Sequence, residues 1–63
     1  MNELVGSEAV VTNPTRGAAG PGEVAVPIHG VFIAYSDDAL PKGTSVVIYQ
    51  ELGSRTVRVQ PLT

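Results

Sequence analysis

The last third of the chain sets the fold class. Ser45–Gln50 and Thr56–Val59 are two β-rich runs, and a short segment centred on Gly53-Ser54 separates them. Such runs on either side of a glycine-containing turn predict an antiparallel hairpin. In the second run Val57 and Val59 alternate with Thr56, Arg58 and Gln60, the period of a strand buried on one face. Pro61 is expected to stop it.

The chain has 63 residues, enough for one small domain that buries only about 60% of its unfolded surface. It has no cysteine and one histidine, so disulfide staples, thiolate metal sites and histidine cages are excluded. An apolar core must hold it together. The composition is 43% hydrophobic, valine-rich, and punctuated by seven glycines and five prolines, which argues for an all-β domain.

Six acids against four bases give a net charge of −2. That balance weighs against a nucleic-acid surface, where Lys and Arg must replace counterions on phosphate, and against an anionic membrane face. No run of about 18 apolar residues occurs, and Met1–Gly6 lacks the basic segment and apolar core of a signal peptide. The expectation is a soluble piece.

Residues 1–6 read as a lead-in from which Leu4 and Val5 pack. Glu8–Thr12 is the first strand candidate, ended by Asn13-Pro14. Thr15–Gly22, with three glycines and a proline, reads as a mobile connector, since it has neither the lysine nor the spacing of a phosphate-binding loop. Glu23–Ile28 is the second strand, with Val24, Val26 and Ile28 on one face, and His29-Gly30 makes a turn in which Gly30 takes positive φ.

Val31–Ser36 is the third strand and is apolar on both faces. Phe32, Ala34 and Ser36 point one way, Val31, Ile33 and Tyr35 the other. The outer row is either covered by a loop or an exposed stripe meant for a partner. Asp37–Gly43 leads to strand four, with Leu40 in the core and Gly43 at positive φ. Strand four places Val46 and Ile48 on one face and Val47 and Tyr49 on the other. These elements predict a five-stranded barrel of the OB type over residues 7–62, with no substantial helix.

No constellation points to catalysis. Asp37-Asp38 lacks the alternating acids of a calcium loop and the cleft separation of a glycosidase pair. Ser36, Ser45 and Ser54 have only His29 as a conceivable base, and nothing in the sequence brings them together. The reading is therefore non-enzymatic, with no cofactor and no metal.

Leu4-Val5-Gly6-Ser7-Glu8-Ala9-Val10, Gly22–Val26, Gly30 and Ala34-Tyr35-Ser36 resemble the C-terminal soluble domain of NfeD-like membrane proteins. Leu40–Ile48 is similar to that family's glycine-centred turn into strand four, and Thr56–Pro61 to its closing strand. Two departures stand out: Ala9 where the family often has glycine, and a longer, more glycine-rich Thr15–Gly22 loop.

The resemblance implies an OB-fold domain of a bacterial or archaeal membrane protein. Its transmembrane helices would lie before residue 1, with the soluble domain on the cytoplasmic side. It also implies stomatin- or flotillin-like (SPFH) partners. The expected partner surface is Val31, Ile33, Tyr35, Val47 and Tyr49, and self-association is a further option. The competing reading is an OB barrel that binds single-stranded nucleic acid or oligosaccharide, with Phe32, Tyr35 and Tyr49 as the only aromatics available for stacking.

Overall fold

A computed structural model of the protein describes residues 4–62. Five strands form: β1 (Glu8–Asn13), β2 (Gly22–Val26), β3 (Gly30–Tyr35), β4 (Ser45–Gly53) and β5 (Thr56–Pro61). A single 3-10 turn over Gly17–Ala19 interrupts the β1–β2 connection. The strands close on themselves in the order β1-β2-β3-β5-β4. The β3–β5 pair is parallel, with Tyr35 beside Arg58, and every other pair is antiparallel. The fold is the expected all-β, five-stranded barrel of the OB type.

Alternation explains the core. Val24, Val26, Phe32, Ala34, Val46, Ile48, Val57 and Val59 point inward and are buried with Ala9 and Val11 of β1. Leu40 caps this cluster from the β3–β4 connection, as expected, and Leu4 joins it from the lead-in. Val5 does not pack; it is exposed. Residues 1–3 of the expected lead-in lie outside the described residues.

Other local expectations are corrected as well. Ile28 does not continue β2. His29 N–H donates to the Val26 carbonyl at 3.0 Å, so Val26-Pro27-Ile28-His29 is a tight turn with Pro27 at its second position. Ile28 takes φ +76° at the third, where a type II turn favours glycine. A β-branched residue in that region costs roughly 1–2 kcal/mol. Gly30 has positive φ as expected, but it opens β3.

The β4–β5 turn is displaced by one residue. Gly53 pairs with Thr56, and Ser54 and Arg55 both take positive φ, the signature of a two-residue type I′ turn. Pro61 also remains within β5, pairing with Val46.

The Thr15–Gly22 segment is tied down. The buried Thr15 hydroxyl donates to the Asp38 carbonyl and accepts from the Leu40 N–H, both at 2.9 Å, while Thr15 N–H donates to the Leu40 carbonyl at 3.0 Å. At the other end Gly22 enters β2 where a Cβ would collide with the carbonyl oxygens of Asn13 and Pro14. Glycine is required there for close backbone approach, not for its φ.

Candidate interaction surface

The outer row of β3 is open to solvent. Val31 is 49% exposed, and Ile33 and Tyr35 are each 42% exposed, while Phe32, Ala34 and Ser36 between them are buried. The strand period therefore puts three apolar side chains in one line on the outside of the wall.

Tyr49 reaches the same side by a different route. Ile48 pairs with Val59 and Gln50 with Arg58, so Tyr49 is the extra residue of a β-bulge. A bulge re-aims side chains and strengthens twist. Tyr49 is 41% exposed and lines, with Tyr35 and Arg58, a concavity of about 250 Å³ whose lip is Gly17 and Ala18. Arg58 pairs with Tyr35 across β3–β5 and with Gln50 across β4–β5, so it lines the same concavity as the two tyrosines. No ion pair or hydrogen bond engages the Arg58 side chain among the described residues.

The five expected surface residues are thus only partly assembled. Tyr35 and Tyr49 meet at the concavity. Ile33 lies in a neighbouring groove with Pro14, Arg16, Pro21 and Glu23, on the other side of the β1–β2 connection. Val31 stands at the start of the row, toward the β2–β3 turn. Val47 is half-buried and sits between Glu8 of β1 and Gln60 of β5. Sequence reasoning missed Arg58 and the Gly17–Ala18 lip, because the parallel β3–β5 pairing that unites them is not visible in any local run.

Among the described residues no group of three or more His, Asp or Glu side chains could hold a metal ion. His29 is exposed on the β2–β3 turn, and its carbonyl accepts from Arg55 Nη2 at 3.3 Å. Ser36 is buried and accepts from the Asp38 N–H at 3.3 Å, which orders the start of the β3–β4 connection. No helix among the described residues is long and apolar enough to cross a membrane.

Solved structures share the barrel, two of them as follows. The C-terminal domain of a stomatin operon partner protein from Pyrococcus horikoshii superposes with a TM-score of 0.80 at 19% identity, over 97% of this chain and 91% of that one. The soluble domain of a membrane protein implicated in regulation of membrane protease activity, from Corynebacterium glutamicum, gives 0.75 at 22% identity, over 95% and 94% of the two chains. At those identities the likeness is one of fold. No curated protein sequence matches the chain. The model of the NfeD C-terminal domain matches residues 8–60, which runs from the first residue of β1 almost to the end of β5, and the chain belongs to that family.

Proposed function

We propose that this domain is a non-enzymatic protein-interaction module of a membrane-anchored parent, working with a stomatin- or flotillin-like partner. The observation that carries the reading is the outward row Val31, Ile33 and Tyr35, extended at its far end by Tyr49. A closed barrel has no free edge to protect, so apolar area kept on one outer wall is best accounted for by a partner that covers it. Val47 belongs to the same surface at its margin. Family membership and the description of the Pyrococcus horikoshii relative as a stomatin operon partner support the choice of partner class. Anchoring would come from helices upstream of residue 1, with the domain on the cytoplasmic side.

The test is a pull-down by an SPFH protein encoded beside the parent gene, comparing the wild-type domain with the Ile33→Ser/Tyr35→Ser variant. Binding is expected to fall at least tenfold while the amide spectrum stays folded. Unchanged binding by the folded variant would remove the surface from consideration.

One observation favours a second reading, single-stranded nucleic-acid binding: Tyr35, Tyr49 and Arg58 line one concavity, a set that can stack bases beside a phosphate. The net charge of −2 opposes it. Micromolar, salt-sensitive binding of a labelled oligonucleotide would favour this alternative.

A further inference from the structure

We propose that the domain associates head to tail with a second copy of itself, the Ile28 side chain of one copy seating between Tyr35 and Tyr49 of the next. Both halves of the contact lie in this chain, so the proposal does not rest on the partner reading above.

The knob is unusual on two independent counts. Ile28 has a relative exposure of 102%, and its φ of +76° is one that glycine or asparagine adopts readily and isoleucine does not. A β-branched residue held in a strained backbone conformation, with its side chain wholly in solvent, points to a position kept for what that side chain touches.

The matching hole lies at the opposite end of the barrel. From Gly30 to Tyr35, β3 runs five residue steps, about 17 Å at the rise of a strand, so knob and hole cannot meet within one copy. The hole is the concavity of about 250 Å³, lined by Tyr35 and Tyr49 together with Gly17, Ala18, Asp37 and Arg58. That volume accommodates a branched aliphatic side chain.

Charge favours the same pairing. Beside the knob, Arg55 directs Nε and Nη2 at the Val31 and His29 carbonyls, and its Nη1 makes no hydrogen bond among the described residues. Beside the hole are the exposed Asp37, which lines it, and its neighbour Asp38. Arg58 is the one cation in the hole, which confines the incoming Arg55 to the aspartate side. A bilayer is the poorer occupant. One isoleucine with no lysine cluster around it, on a chain of net charge −2, lacks what interfacial binding requires.

Knob and hole are different surfaces, so the contact is heterologous and each copy keeps one free end. The patch is well below the roughly 1,000 Å² of a stable interface, so association is weak, with a dissociation constant on the order of 1 mM.

The experiment is sedimentation equilibrium, backed by amide chemical shifts, from about ten micromolar to about one millimolar protein, the range that brackets this affinity. It compares wild type, Ile28→Gly and Tyr49→Ser. Glycine suits the turn and serine an exposed strand position, so both variants keep the fold. Wild type is expected to gain mass with concentration while each variant alone stays monomeric. An equimolar mixture of the two forms dimers and nothing larger, because one variant retains the hole and the other the knob. A monomeric wild type, an Ile28→Gly variant that associates like wild type, or a mixture that stays monomeric would each overturn the proposal. Ile28-dependent binding to phosphatidylglycerol vesicles by a monomeric domain would assign the knob to a bilayer instead.

Discussion

The guanidinium of Arg55 lies 4.4 Å from the centroid of the Phe32 ring. A residue of the β4–β5 turn thereby covers the core aromatic of β3. Its side chain also donates to the Val31 carbonyl from Nε at 3.3 Å and from Nη2 at 2.8 Å, and its own carbonyl accepts from the Ile33 N–H at 2.8 Å. Backbone and side chain together fasten the end of the hairpin to the strand that carries the exposed row.

Arg55→Ala removes a cation–π contact and a forked donor at a solvent-exposed site, and is expected to lower stability by about 1–2 kcal/mol in urea denaturation. Arg55→Lys should recover less than half of that. An ammonium group supplies charge over the ring, but not the fork onto the Val31 carbonyl.

Thr15 fixes the approach of the β1–β2 connection to the β3–β4 connection. Thr15→Val keeps the volume but strands the buried Leu40 N–H, which now donates to the Thr15 hydroxyl at 2.9 Å. The expected loss is about 2–3 kcal/mol, with Thr15→Ser recovering most of it. Because this loop forms the lip of the tyrosine concavity, amide exchange at Gly17 and Ala18 should quicken in the valine variant.

Thr12 behaves in the opposite sense. Its hydroxyl is buried with no hydrogen-bond partner among the described residues, at the bulge where the β1–β2 register shifts between Val11 and Asn13. Thr12→Val preserves shape and strand preference and removes an unsatisfied group. It is expected to raise stability by about 1 kcal/mol in the same assay.

Ile28→Gly relieves the left-handed strain in the β2–β3 turn and is expected to stabilise the monomer by about 0.5–1 kcal/mol. Dilute protein should be used, so that self-association does not contribute.

Period-2 alternation made the barrel wall legible: the inward and outward sets of β3, and the Val46/Ile48 and Val57/Val59 faces, follow from it. Leu40 and the positive φ of Gly30 and Gly43 were equally readable, because an apolar residue beside a Pro-x-Gly turn has few places to go. What escaped were non-local or irregular features. Ile28 fits the pattern of β2, yet Pro27 takes the second position of a turn and carries it out of the sheet. Ser54 and Arg55 carry none of the usual marks of a type I′ turn. The sequence places Tyr35 and Tyr49 on one outer surface, but Arg58 joins them only because β3 and β5 run parallel.

The central claim, that a partner covers the outer wall of β3, is tested most directly by titrating an unlabelled stomatin-like protein into the isotope-labelled domain. Amide and methyl signals should be followed residue by residue. Shifts or broadening concentrated at Val31, Ile33, Tyr35, Tyr49 and the margin at Val47 are the predicted result. Perturbations confined to the exposed face of β1 around Val10, or none at saturating partner, would contradict it.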